Sequence, residues 1–210
     1  MSKLTQFTVT GKEKDDFYAF GIHSDTTSQT IKKVITKDIT GVNKNDSIYQ
    51  YNLTTAFDAT TAVYQTTTSL VRNGSETQSD GSYTTAQKGL SDIKGISFNN
   101  NGTKMYAVDK YHARIIQYAL SSAYTITSLT YEKEKSIVAD GIGPVAMTFN
   151  NDGTKMFVIE NSGTAFETSP TIAAGNINEY ALSGAYDVAT ATFTRRLSIV
   201  SEDANAVDLK

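Results

Sequence analysis

The sequence predicts an all-β protein, a β-propeller of four-stranded antiparallel blades, on three observations. First, Gly95-Ile-Ser-Phe98-Asn-Asn-Asn-Gly102-Thr-Lys104-Met105-Tyr106-Ala-Val108 returns as Ala146-Met-Thr-Phe149-Asn-Asn-Asp-Gly153-Thr-Lys155-Met156-Phe157-Val-Ile159, an offset of 51 residues (98 to 149). A fixed period of this size, built from short strands, marks a radial or stacked β-array. Second, a further block occurs three times: Ile48-Tyr-Gln-Tyr51-Asn-Leu53-Thr-Thr-Ala56-Phe57-Asp58, Ile116-Gln-Tyr118-Ala-Leu120-Ser-Ser-Ala123-Tyr124 and Ile177-Asn-Glu-Tyr180-Ala-Leu182-Ser-Gly-Ala185-Tyr186-Asp187. Each copy runs on into a strand ending in an apolar pair, Leu70-Val71, Ile137-Val138 and Ile199-Val200. Third, threonine and tyrosine, which suit a pleated surface, are abundant, and few stretches show helical periodicity.

The elements follow in order along one domain, 1–210. Residues 1–16, with Leu4, Phe7 and Val9, have the character of an outer strand parted from its blade, and are expected to lie at a seam. Residues 17–71 read as a degenerate blade. Counting back 31 from Tyr51 lands on Phe20, the Asn-Gly-Thr-Lys turn is missing, and Ile31-Lys-Lys-Val34-Ile35 stands in as second strand. Residues 72–92 are polar, with turn residues throughout, and read as a long surface loop.

Residues 93–138 form a blade. Its first strand, Gly95 to Phe98, is short and apolar, as an inner strand buried on both faces should be. Asn-Asn-Gly then turns the chain, because Asn and Gly accept the positive φ that such a hairpin needs. The second strand is Lys104 to Val108 and the third Arg114 to Leu120, with Ile116, Tyr118 and Leu120 alternating onto one face. The fourth, about Leu129 to Val138, is polar enough to be an outer edge. Residues 145–200 repeat this blade with an insertion, 160–176, because Phe98 to Tyr118 spans 20 residues and Phe149 to Tyr180 spans 31. That insertion is expected as a loop at one rim. Residues 205–210 resemble the start of a further blade, Val207-Asp-Leu209-Lys210 matching Val145-Ala-Met147-Thr148. Three blades and two partial ones fall short of the four that a propeller needs. The expectation is therefore an incomplete ring, either an incomplete gene product, which is favoured, or one whose missing edges are supplied by assembly.

Composition narrows the chemistry. The net charge of −3 supplies no strong field for nucleic acid or anionic lipid. Without cysteine there are no disulfides or thiolate metal sites, and the two histidines, His23 and His112, fall in separate blades. The first ten residues lack an apolar signal-peptide core, and no run reaches membrane-spanning length, so no membrane insertion is expected.

The pattern Phe-Asn-x-Asp/Asn-Gly-Thr-Lys-Met-Tyr/Phe-Val, with x-Tyr-x-Leu-Ser-x-Ala-Tyr-Asp downstream, is similar to the propeller repeats of the YVTN-type and WD-like superfamily. Its Asn-Asp-Gly-Thr-Lys-Met flavour resembles repeats of bacteriophage and marine bacterial proteins. The resemblance covers Asp92 to Val200 well and only the second half of 17–71, and no Trp-Asp pair is present. It implies blade architecture and says little about function, since such scaffolds carry many activities.

No catalytic, cofactor or metal residues are expected. The turns Asn99-Asn100-Asn101-Gly102 and Asn150-Asn151-Asp152-Gly153 lack the further carboxylates of a calcium loop. Tyr51, Tyr118 and Tyr180 could line up as sugar-stacking rings, but packing between blades with the hydroxyl satisfied at the edge is favoured. Phe57, Tyr124 and Tyr186 are expected to plug a gap at the turn between strands three and four. His112, beside Lys110 and Arg114, reads as a solvated turn rather than a base. Glu132-Lys133-Glu134-Lys135 reads as an outer strand whose charges discourage edge pairing. Candidate ligand-contact residues are then Tyr83 in the 72–92 loop, Tyr111, and Phe166 and Ile172 in the 160–176 insertion.

The functional expectation is a non-enzymatic binding module of a bacteriophage virion: a tail fibre, receptor-binding or surface-decorating protein for host attachment. It would present loops on a rigid propeller in multiple copies. Its partners would be other virion proteins and a host surface glycan or protein, and its location the virion, outside the cell after lysis. The alternative is a bacterial cell-surface adhesin or scaffold. A lactonase-type hydrolase with a metal in a central channel ranks last, because the inner strands offer Ser97, Thr148 and apolar residues.

Overall fold

The computed structural model describes residues 17–19, 22–24, 29–31, 34–36, 47–55, 59–72, 76–77, 83–84, 88–89, 93–141, 143–161 and 175–199. In chain order the strands are β1 (Phe17–Ala19), β2 (Ile22–Ser24), β3 (Gln29–Ile31), β4 (Val34–Thr36), β5 (Ser47–Leu53) and β6 (Ala62–Ser69). Then come β7 (Val71–Arg72), β8 (Glu76–Thr77), β9 (Tyr83–Thr84) and β10 (Lys88–Gly89). The repeats contribute β11 (Ile93–Phe98), β12 (Lys104–Asp109), β13 (Arg114–Leu120), β14 (Leu129–Ser136), β15 (Pro144–Phe149), β16 (Lys155–Glu160), β17 (Asn176–Leu182) and β18 (Ala191–Ser198).

These build three antiparallel four-stranded sheets, ordered β1-β4-β5-β6, β11-β12-β13-β14 and β15-β16-β17-β18, and the fold is all-β, an incomplete propeller. The only helical elements among the described residues are three 3-10 turns, Ala59–Thr61, Ile126–Ser128 and Val188–Thr190, each leading into the fourth strand of its sheet. In the first sheet Val34–Thr36 is the second strand, while Ile31 belongs to a separate hairpin, β2 with β3, set between the first two strands. Within residues 72–92, β8 pairs with β9, and β10 pairs back onto β7, so this polar stretch carries two short ladders. The segments 1–16, 162–174 and 200–210, which hold the expected seam strand, most of the insertion and the start of a further blade, lie outside the described residues.

The repeat is preserved down to its irregularities. The register shifts between Gln50/Tyr51, Gln117/Tyr118 and Glu179/Tyr180, and again between Ile93/Gly95 and Pro144/Ala146. A bulge adds local twist, so recurrence at one position gives each sheet the same curvature and lets copies stack. The inner strands are close neighbours: a side chain at Gly95 would bring a Cβ within 2.8 Å of the Val145 carbonyl oxygen.

Burial follows the stacking. Ile48, Leu70, Ile96, Met105, Ile116, Tyr118 and Ile126 close the interface between first and second sheets. Tyr106, Val108, Ile115, Met156, Tyr180 and Val188 close that between second and third. Two buried side-chain amides stitch the same interfaces. Gln50 Oε1 accepts the Ile126 backbone N–H at 3.2 Å, and Gln117 Oε1 accepts that of Val188 at 3.0 Å. Each satisfies the first N–H of a 3-10 turn in the next sheet, which would otherwise be a costly buried orphan.

The co-occurrence of Asn-Gly and Ala-Tyr in each repeat has a direct cause. Tyr124 and Tyr186 adopt φ of 55° and 59°, and their rings lie over Gly102 and Gly153, themselves at φ 69° and 71°. Tyr124 Oη donates to the Asn100 carbonyl at 2.8 Å, and Tyr186 Oη to that of Asn151 at 2.7 Å. The two turns at one end of the second sheet, and the corresponding two of the third, are thereby clamped together. Asn99 and Asn150 Oδ1 accept the backbone N–H of Lys104 and Lys155, both at 2.9 Å, which gives these asparagines a turn-closing role. Tyr118 and Tyr180 do pack between sheets, but their hydroxyls are buried rather than set at an edge.

Candidate functional site

The second strand of each repeat sheet ends in a carboxylate, Asp109 in β12 and Glu160 in β16, at the same 51-residue offset (109 to 160) as the rest of the repeat. Each lies opposite the first residue of its inner strand, Asp109 against Ile93 and Glu160 against Pro144. The pleat and the bulge beside each pair turn both side chains into the protein, and both are buried. Carboxylates are rarely buried unless they are partnered or functional.

Asp109 is richly partnered. Its Oδ1 accepts the backbone N–H of His112 at 3.1 Å, closing the tight turn between β12 and β13. Its Oδ2 lies 2.8 Å from His112 Nδ1 and 3.4 Å from Arg114 Nε. Arg114 also reaches Glu134 Oε1 at 3.0 Å. The Asp109 side chain is 3% exposed and that of His112 32%, so a buried acid holds a part-exposed imidazole. Tyr111 stands edge-on to the His112 ring, with centroids 4.8 Å apart, and is itself 40% exposed. His112 is thus an oriented imidazole, not simply a solvated turn residue. The charged run 132–135 is also engaged: besides Glu134, Glu132 accepts from Gln117 at 2.7 Å and Lys133 pairs with Asp187 at 2.9 Å.

Glu160 is held differently. Gly141, from the connection between β14 and β15, lies so close over its carboxyl that a Cβ there would fall 1.3 Å from Oε1. Nearby, Arg196 Nε donates to Asn178 Oδ1 at 2.8 Å, and Asn178 Nδ2 to the Asp140 carbonyl at 3.2 Å. Oε1 of Glu160 has no hydrogen-bond partner among the described residues. Burial pushes the carboxyl from its ordinary 4.5 up to about 7; Arg196 and Asn178 oppose the shift and Asp140 adds to it. Burial likewise drives the Tyr180 hydroxyl far above its usual range.

A pH-dependent stability follows. Between about 4.5 and 7 the folded protein retains a proton on Glu160 that the unfolded chain has released. Stability therefore falls as pH rises through that window and is level on either side, a loss on the order of 3 kcal/mol. Glu160→Gln, which copies the protonated shape, is expected to match the wild type in thermal unfolding near about pH 4 and to exceed it near about pH 8. Identical unfolding curves at both ends would show that the carboxyl ionises freely in the fold.

Of the residues expected to contact a ligand, Tyr111 lies beside the Asp109–His112 couple. Tyr83 opens β9 opposite Thr77, with its side chain outside the described residues, and Phe166 and Ile172 lie wholly outside them. Sequence reading passed over Asp109 and Glu160, although their shared offset was a usable signal. No group of three or more His, Asp or Glu side chains able to hold a metal occurs among the described residues.

No protein-family model matches the chain, and neither does any curated protein. Solved structures of like fold do occur. A protein from Lactobacillus plantarum is 14% identical, with a TM-score of 0.49 over 87% of this chain and 42% of its own. The periplasmic gluconolactonase PpgL of Pseudomonas aeruginosa is 12% identical, with a TM-score of 0.45 over 87% of this chain and 41% of its own. A luciferin-regenerating enzyme is 11% identical, with a TM-score of 0.43 over 94% of this chain and 66% of its own. The chain thus spans about two fifths of the first two, and identities this low bear on fold alone. Their names, not their geometry, correct the functional expectation. Proteins of like fold are named as enzymes, a gluconolactonase among them, so the non-enzymatic virion module is not upheld and the tail-fibre and host-attachment reading has no support.

Proposed function

We propose that this chain forms part of a hydrolase that opens an ester or lactone by general-base catalysis, with His112 as the base and Asp109 as the residue that orients it. The observation that carries the reading is the Asp109–His112 couple: a buried carboxylate 2.8 Å from Nδ1 of a part-exposed imidazole. Donation from Nδ1–H to the carboxylate makes Nε2 the basic nitrogen and stabilises the imidazolium formed when it takes a proton. In the reaction Nε2 takes a proton from water as the water oxygen bonds to the carbonyl carbon. The tetrahedral intermediate then collapses, the carbon–oxygen bond to the leaving alcohol breaks, and that oxygen receives the proton from Nε2. Water and lactone become a hydroxy acid, with the base restored. Arg114, set between Asp109 and Glu134, holds the carboxylate in place, and Tyr111 supplies an apolar wall beside the ring.

Gluconolactonase is the name of one protein of like fold; for this chain the reading rests on the couple itself. The purified protein is expected to hydrolyse at least one member of a panel of five- and six-membered sugar lactones and short aryl esters, followed by acid release at constant pH. A panel in which no member turns over faster than it does without protein would overturn the reading.

A further inference from the structure

The sheets carry different residues at one corresponding place in their ladders. Where the second strand ends against the third, the second sheet pairs Asp109 with Arg114 and the third sheet pairs Glu160 with Asn176. Two residues further along the third strand, the fourth strand supplies Glu134 opposite Ile116 and Arg196 opposite Asn178. The first sheet has Thr67 at that place, opposite Tyr49. This strand therefore forms with an acid, a base or a hydroxyl there, and folding alone does not call for the carboxylate of Glu134.

In the second sheet the set makes one line of charge. Arg114 Nε lies 3.4 Å from Asp109 Oδ2, and Arg114 Nη1 lies 3.0 Å from Glu134 Oε1. In the third sheet Arg196 is turned instead to Asn178 Oδ1 and the Asp140 carbonyl. Asp109 Oδ2 is also the oxygen that His112 Nδ1 approaches to 2.8 Å. Hydrogen bonds to a carboxylate run to about 2.7–2.9 Å, so the imidazole holds this oxygen and the guanidinium stands off. A guanidinium beside a carboxylate commonly takes it with two parallel N–H bonds. Glu134 grips the other end of this fork. The Arg114 side chain is 12% exposed and that of Glu134 24%, so solvent screens the pair little.

We propose that Glu134 is a positioning residue: by gripping the Arg114 fork it leaves Asp109 Oδ2 to His112 Nδ1, which fixes the imidazole with Nε2 bare. The proposal rests on the reading of His112 as the base and gives that base a control on the outer strand. Without the Glu134 charge the fork turns onto Asp109 and displaces the ring from Oδ2. An N–H donor then faces Nδ1, which favours the Nε2–H tautomer and leaves the wrong nitrogen bare.

The test uses the full chain with Glu134→Gln, and separately with Glu134→Thr, which copies Thr67 of the first sheet, each checked for unchanged circular dichroism. Nitrogen-15 NMR of the neutral His112 ring, assigned by its loss in His112→Ala, reads the tautomer independently of activity. The wild type is expected in the Nδ1–H form, and each variant is expected to shift the ratio towards Nε2–H by about ten-fold. On a lactone or ester that the protein turns over, kcat is expected to fall about ten-fold with KM unchanged. In an Arg114→Met background neither substitution is expected to move the tautomer further, because no fork remains to be gripped. Lys135→Gln, on the next residue of the strand and facing the other way, is expected to match the wild type in both readouts. A wild-type tautomer ratio in both Glu134 variants would overturn the proposal, as would a shift of equal size in the Arg114→Met background. A tautomer that shifts as expected in a protein that hydrolyses nothing would keep Glu134 as the residue that positions the ring and would dismiss His112 as the base.

Discussion

Gly153→Val is expected to abolish the folded state, or to leave it so weak that mild denaturant removes it. Gly153 sits at φ 71°, a left-handed conformation that a β-branched residue adopts only at a cost of about 1–2 kcal/mol or more. Its Cβ would also lie 2.3 Å from Cδ2 of Tyr186, well inside contact distance. The ring cannot simply swing aside. Tyr186 is itself held at φ 59°, its backbone N–H donates to the Gly153 carbonyl at 2.9 Å, and its hydroxyl donates to Asn151. Its backbone carbonyl is in turn the acceptor for Tyr106 Oη at 2.8 Å, across the interface between second and third sheets. Displacing the ring therefore loosens a turn and a sheet interface together. Overpacking adds roughly 1–3 kcal/mol and each lost hydrogen bond about 1 kcal/mol, against a total stability that for most domains is only about 5–15 kcal/mol. Gly184→Ala is the control: its Cβ would meet Asp187 Cβ at an ordinary 3.4 Å, and no positive φ is required. Denaturant unfolding followed by circular dichroism should show Gly184→Ala close to the wild type and Gly153→Val without a native baseline. A cooperative transition for Gly153→Val at the wild-type midpoint would remove the clamp from any account of this fold.

His112→Ala is expected to lower kcat for whichever lactone or ester the protein turns over by about 10²–10⁴-fold, the usual contribution of a positioned base. KM should hardly move, because proton removal strengthens only in the transition state. Asp109→Asn should cost a comparable factor, since an amide can present its N–H to Nδ1 and leave Nε2 as the donor, the wrong nitrogen for a base. Added imidazole should partly restore His112→Ala, because it replaces the missing base, and should not restore Asp109→Asn, where the native ring still fills the position. Full activity in His112→Ala would dismiss this residue as the base. Equal rescue of both variants would mean that Asp109 acts only by closing its turn.

Much of this molecule was legible in the residues because its regularities are local. Asn-Asn-Gly and Asn-Asp-Gly accept positive φ wherever they stand, so Gly102 and Gly153 marked their hairpins directly. Alternation in Arg114 to Leu120 determined a strand, and the 51-residue repeat determined that its neighbours would be built alike. The partners were not legible, because burial is made by chain that is distant in sequence. Asp109 is a buried carboxylate only once β11 and the sheet core exclude water from it, and only then is the part-exposed His112 ring held in one orientation. Glu160 reads as the edge of an insertion until Gly141, from the preceding connection, closes over its carboxyl. Spacing alone could not separate Gln117, which meets an amide of the next sheet, from Glu179, which occupies the same place on a face that no described sheet covers. The amino-acid sequence by itself determined the strands, their turns and the repeat. Tertiary structure decided which polar groups lost their water, because desolvation depends on what packs above a side chain and not on what precedes it.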